Sequence, residues 1–186
     1  MKKTIITAAL LTAFGVAALA PLAASATDGT ITINGKISSS TCTINGNGSG
    51  SSSFTVTLPT VAASALASTG AVAGDTPFSL VLSGCTFSAS GTVSTYFEPG
   101  ANVLADGNLK NNGSATGVEV QLLNSGNTAI ALGSASGSQN ASTAAVTTSS
   151  TGATLNYFAQ YVVPASSTKA VAGSVTTTVN YDITYP

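Results

Sequence analysis

Apolar and polar residues alternate with a period of two through most of this chain from residue 30 onward. Residues 30–37 place Ile31, Ile33, Gly35 and Ile37 on one face and Thr30, Thr32, Asn34 and Lys36 on the other. Residues 54–58 alternate up to Pro59, residues 78–82 lead into Cys85, and residues 91–97 carry Val93, Thr95 and Phe97. Residues 118–122 alternate, a turn at Asn124-Ser125-Gly126 follows, and residues 128–132 read as the next strand. Leu155, Tyr157, Ala159, Tyr161 and Val163 share a face, as do Val175, Thr177, Val179, Tyr181, Ile183 and Tyr185 at the end. This period, with so many β-branched residues, is the signature of half-buried strands.

The segments between these runs are turn-like. Residues 45–53 (NGNGSGSSS) read as a flexible turn between strands, and residues 133–152, rich in Ser, Ala, Thr and Gly, read as a long loop. Residues 61–73 fit either a short helical turn or a loop. The chain contains no internal repeat. About seven short strands with frequent turn signals predict an all-β fold, an antiparallel sandwich of immunoglobulin-like type.

The first residues follow another rule. Lys2 and Lys3 precede an apolar run over residues 4–20, and Ala24-Ser25-Ala26 supplies the small residues that signal peptidase accepts. This predicts a signal peptide over residues 1–26, with cleavage marked by Ala24 and Ala26 and a mature start at Thr27. No other segment approaches the ~20 apolar residues of a membrane span.

Export changes the meaning of the cysteines. The chain has two, Cys42 and Cys85, in no CxxC pair, and an oxidising compartment predicts a disulfide between them. Closing that loop is worth roughly 4 kcal/mol by chain entropy.

Charge is sparse. Without the leader, Lys36, Lys110 and Lys169 stand against Asp28, Asp75, Glu98, Asp106, Glu119 and Asp182, and there is no Arg. A nucleic-acid partner would require clustered cations. So few charges suit a surface covered by copies of itself, or equally a secreted β domain that dispenses with charge.

Catalytic chemistry finds no support. The chain has no His, which removes Ser-His-Asp and Cys-His arrangements and His-ligated metals. The carboxylates are scattered, and Asp75, Glu98 and Asp106 have no spacing that marks a glycosidase pair. Gly46, Gly48 and Gly50 lack the helix and the Lys-Ser/Thr that complete a phosphate loop. The expectation is therefore no enzyme, no cofactor and no metal.

What remains is at the ends. A strand-like run begins a few residues after the cleavage site and another reaches the last residues, where tails are usually ragged and polar. Together with Gly117-Val118-Glu119-Val120-Gln121-Leu122, Tyr157-Phe158-Ala159-Gln160-Tyr161 and the terminal Asn180-Tyr181-Asp182-Ile183-Thr184-Tyr185-Pro186, the chain resembles the pilin subunits of chaperone–usher fimbriae, in particular the type 1-like major subunit. In that resemblance Cys42 and Cys85 match a disulfide between first and third strands, and Tyr185 the family's penultimate tyrosine. Pro186 departs from it, having no N–H for the last ladder bond.

The resemblance implies an incomplete immunoglobulin-like sandwich lacking its last strand, completed by a donor strand from a neighbouring subunit. Residues 27–37 would be the donor extension, with Gly29, Ile31, Ile33, Gly35 and Ile37 facing inward, and residues 38–186 the pilin domain. Val175, Val179, Tyr181, Ile183 and Tyr185 would border the acceptor groove. Implied partners are identical or related pilin subunits, a periplasmic chaperone and the outer-membrane usher, on the way to an extracellular fimbrium supporting adhesion. A minor adaptor subunit of the same fimbria shares these features, and an ordinary first strand over 29–37 would instead fit a secreted monomeric β-sandwich.

Overall fold

The computed structural model describes Ile37 and residues 41–186. The leader with Ala24 and Ala26, and the donor positions Gly29, Ile31, Ile33 and Gly35, lie outside the described residues. Among the described residues, β1 (Thr41–Gly46), β2 (Val72–Thr86), β3 (Gly91–Phe97), β4 (Leu109–Lys110), β5 (Glu119–Asn124), β6 (Thr143–Val146), β7 (Gly152–Val162) and β8 (Tyr181–Thr184) form two sheets. One sheet has the order β1-β2-β7-β5-β4 and the other β6-β3-β8. All pairings are antiparallel. This is an immunoglobulin-like β-sandwich.

Alternation sets the inner faces. Phe78, Leu80 and Leu82 of β2, Val120 and Leu122 of β5, and Leu155, Tyr157 and Ala159 of β7 pack with Val93 and Phe97 of β3 in one core cluster. Each such large side chain contributes roughly 2–3 kcal/mol on burial. Tyr157 is the hub. Its ring stacks on Phe78 at 5.3 Å and meets Phe97 edge-on at 5.6 Å, and its hydroxyl donates to Thr95 Oγ1 at 2.8 Å. A second cluster gathers Leu66, Ala115, Val118, Val163 and Ala170, so the shared face of β7 serves two cores.

β2 survives an internal Pro77 because β1 pairs only with its Leu80–Thr86 part. Pro77 has β7 on one side, facing Phe158, and no partner strand on the other, where a missing N–H is tolerated. Gly46 at the end of β1 lies against the ring of Phe54, in the space a side chain would need.

Several expectations require correction. Among the described residues there are eight strands, where about seven were expected. Residues 133–152 are not merely a loop: they contain β6, which pairs with β3, and the buried Gln139. Residues 128–132 make only a bridge, Leu123 to Ala129, because the turn at 125–126 returns the chain for a few bonds before it leaves. Residues 61–73 hold a 3-10 turn at Ala63–Leu66 and then enter β2. The expected Cys42–Cys85 disulfide, by contrast, is present, and it joins the neighbouring strands β1 and β2. Their Cα atoms are 4.2 Å apart. Cys85 is buried and Cys42 half-buried.

Candidate functional site

Two strand-like segments carry apolar faces without a strand's hydrogen bonds. In the first, Phe54, Val56 and Leu58 turn toward the core while Thr55 and Thr57 are exposed. Among the described residues no backbone hydrogen bond reaches residues 54–60. The second runs through residues 174–180 into β8, and only Tyr181–Thr184 joins a ladder. Val175, Thr177, Val179, Tyr181, Ile183 and Tyr185 are half-buried, alternating with exposed residues up to Thr184.

The second segment is held along one edge only. The carbonyls of Ser174, Thr176 and Asn180 accept from the N–H groups of Ala115 (3.0 Å), Asn112 (2.8 Å) and Glu98 (2.9 Å). The Thr176 N–H donates to Asn111 Oδ1 at 2.9 Å, and the Thr178 carbonyl accepts from Asn102 Nδ2 at 3.1 Å. Extended backbone points successive polar groups to opposite edges. The N–H and C=O groups of Val175, Thr177 and Val179 therefore face the other way, and among the described residues nothing bonds them.

That other side faces the first segment. At one end Tyr181 donates its hydroxyl hydrogen to the Ser52 carbonyl at 2.6 Å, and its ring meets Phe54 at 6.4 Å. At the other end Thr60 and Val61 line a recess of about 400 Å³ with residues 170–175. The segments thus run in opposite directions along a groove, and among the described residues no backbone hydrogen bond joins them. Leu66, Ala115, Val118, Tyr161 and Val175 make the recess mostly apolar. Burial raises the phenol pKa of Tyr181, of Tyr185 and of Tyr161, as expected for hydroxyls at the margin of an apolar face.

Of the residues singled out in the sequence, Val175, Val179, Tyr181, Ile183 and Tyr185 all pack against the main core cluster from this row. Tyr185 also meets the ring of Phe87 at 6.4 Å. Ile37 is fully exposed. Residues 54–60, on the facing side, are not marked in the sequence as a wall of the groove. Their alternation was visible, but a pattern of side chains does not reveal whether backbone groups are paired. The recess escaped as well, since Leu66, Ala115 and Val118 come from distant positions.

Among the carboxylates, Glu119 and Asp106 interact, a pair that their spacing in the sequence does not single out. Desolvation raises the Glu119 pKa, Asn108 opposes that by donating to Glu119 Oε2 at 3.0 Å, and Asp106 raises it further. Gln121 and Gln160 extend the network, a polar tie between β4, β5 and β7. Among the described residues no group of three or more His, Cys, Asp or Glu side chains is placed to hold a metal.

Comparison with known proteins places the chain in a family. Residues 58–186 match the family model of the type-1 fimbrial protein, A. The chain is 45% identical to the major fimbrial subunit SMF-1 of Stenotrophomonas maltophilia over 174 residues, 90% of this chain and 98% of that one. It is 44% identical to the F17 fimbrial protein of Escherichia coli over 177 residues, 90% of this chain and 94% of that one. Its fold superposes on a subunit of a chaperone–usher pilus with a TM-score of 0.61 at 20% identity, covering 90% of this chain and all of the other. It superposes on the P pilus rod subunit PapA with a TM-score of 0.55 at 19% identity, covering 84% and 100%. The chain belongs to the type-1 fimbrial protein family and is a structural pilus subunit, not an enzyme.

Proposed function

We propose that the subunit polymerises by donor-strand exchange, its groove receiving residues 29–37 of a second copy. The observation that carries this reading is the pair of strand-like segments, 54–60 and 174–180, whose facing backbone groups have no partner among the described residues. An extended peptide laid between them would satisfy those groups and cover both apolar rows. This is β-strand addition, for which chaperone–pilin complexes are the established example. Ile31, Ile33 and Ile37 would each contribute roughly 2–3 kcal/mol on burial.

An edge of this kind pairs indiscriminately when left open. A periplasmic chaperone therefore occupies the groove first, and the exchange takes place at the outer-membrane usher. Cleavage after Ala26 would free the donor segment, and the fibre would stand on the cell surface in support of adhesion. Electrophoresis of sheared surface fibres in SDS, with and without boiling, tests the reading. Strand-exchanged subunits are expected to run as a polymer until heated and as a monomer afterwards. A monomer in both lanes would reject it.

A further inference from the structure

We propose that Asn47 is a self-modification site, its side chain converted to aspartate and isoaspartate by the backbone nitrogen of Gly48. The inference stands apart from the donor-strand reading. The chain has four Asn-Gly pairs, beginning at Asn34, Asn45, Asn47 and Asn112. In such a pair the second residue has no Cβ to hinder its own amide nitrogen. That nitrogen reaches the Asn Cγ wherever the fold leaves both groups unheld.

Asn34-Gly35 lies outside the described residues, and the structure separates the other three. At Asn45 the following nitrogen is committed: the buried Gly46 donates its N–H to the Ser51 carbonyl at 2.8 Å. The Asn45 side chain is held as well, its Oδ1 accepting from the Gly50 N–H at 2.8 Å. At Asn112 the Gly113 N–H donates to Asn111 Oδ1 at 2.8 Å, and the Asn112 amide donates to Asn102 Oδ1 at 2.9 Å. Asn47 is different. Only its own N–H is tied down, to the Ser79 carbonyl at 2.7 Å. Its side chain and the Gly48 N–H have no hydrogen-bond partner among the described residues. Both residues are exposed, both have positive φ (49° and 73°), and no atom lies within 4 Å of where a Gly48 Cβ would stand.

The chemistry requires only water. The Gly48 nitrogen, giving up its proton to base, attacks Asn47 Cγ; the N–Cγ bond forms, the Cγ–Nδ2 bond breaks, and the amide leaves as ammonia with a proton returned to it. Water then opens the cyclic imide at one of its two carbonyls. Breaking the new bond leaves aspartate. Breaking the original peptide bond leaves isoaspartate, with the backbone rerouted through the former side chain. Either product adds one negative charge to a subunit whose acids already outnumber its lysines. A fibre of such subunits grows more acidic with age, at a turn that faces solvent.

Peptide mapping by mass spectrometry, on purified protein held at mildly alkaline pH, tests this. Fragmentation places the exchange of NH2 for OH on one asparagine, and an isoaspartyl methyltransferase labels the isoaspartate. The folded protein is expected to gain the modification at Asn47 close to the rate of the guanidinium-unfolded chain. Asn45 and Asn112 are expected to react at least about fivefold more slowly folded than unfolded, since a hydrogen bond must open first. Folded Asn47 slowed as much as Asn112, or Asn45 and Asn112 reacting as fast as Asn47, would overturn the proposal.

Isoelectric focusing gives an independent reading. Aged protein is expected to develop a more acidic band that Asn47→Gly abolishes, glycine being at ease with the positive φ of that position. An acidic band of undiminished intensity in Asn47→Gly would assign the new charge elsewhere and remove Asn47 from the reaction.

Discussion

The side-chain amide of Gln139 pairs with both backbone polar groups of Phe97: its Oε1 accepts from the Phe97 N–H at 2.9 Å, and its Nε2 donates to the Phe97 carbonyl at 2.7 Å. β6 pairs with β3 only over Gly91 to Ser94. Gln139 takes the place of the next strand residue on that edge, buried at 2% exposure. A further bond to the Ser134 carbonyl at 3.2 Å holds the amide in position.

Gln139→Ala is therefore expected to cost about 3 kcal/mol, because it strands a buried donor and a buried acceptor together. Guanidinium unfolding followed by tyrosine fluorescence measures it. A loss below about 0.5 kcal/mol, the usual range for an indifferent surface site, would show that solvent replaces the amide.

How far the sequence could be read follows from what each residue's partner is. β2, β3, β5 and β7 were legible because their side chains alternate against a core, and alternation is written in the chain. Gln139 and β6 were not, since a glutamine in a Ser-Ala-Gly stretch carries no period and finds its partner 42 residues away. The apolar row from Val175 to Tyr185 was legible in the same way as the strands. What escaped was its lack of a ladder, which depends on where the chain places Asn102, Asn111 and Glu98. Thr177 itself reads as one more β-branched strand residue, and only its hydroxyl, buried with no hydrogen-bond partner among the described residues, sets it apart.

The Cys42–Cys85 disulfide closes a separation of 43 residues. Its removal, by Cys42→Ser with Cys85→Ser, is expected to destabilise the domain by roughly 4 kcal/mol through the freed unfolded chain. A thiol titration of the unfolded, unreduced protein should find no free cysteine. Finding two would contradict the pairing, and an unchanged unfolding midpoint in the double variant would contradict its weight.

Alkaline pH should act through Tyr157. Burial pushes its pKa up to about 12 from an ordinary 10, against smaller opposing effects of the bonds to Thr95 and Ser142. The fold thus prefers the neutral phenol. Its contribution is complete below pH 10 and is lost as pH rises from there through 12, on the order of 2–3 kcal/mol by the upper end. Unfolding free energy measured from pH 9 to 12 should fall, and Tyr157→Phe should flatten the Tyr157 part of that fall while lowering stability at pH 7 by about 1 kcal/mol for the lost hydrogen bond to Thr95. A slope unchanged in Tyr157→Phe would assign the alkaline loss to the other tyrosines.

Tyr185 tests the wall of the groove. It is the last residue of the half-buried row, its ring lies 6.4 Å from that of Phe87, and the ladder of β8 has already ended at Thr184. Two readings are open to an aromatic in that place. As the frayed end of a finished sheet it would contribute little, and Tyr185→Ala would leave the chaperone complex and the fibre as they were. As part of a groove wall it would be covered only when a chaperone or a second copy docks, and truncating it would cost about 1–3 kcal/mol of that complex, the range for a buried interface anchor. The groove assignment thus expects less chaperone retained on co-purification and fewer surface fibres, with the leader still removed and the Cys42–Cys85 bond still formed. The intact disulfide matters, because it shows that the domain has folded and that the loss lies in assembly. Normal chaperone retention and normal fibre yield for Tyr185→Ala would remove Tyr185 from the groove.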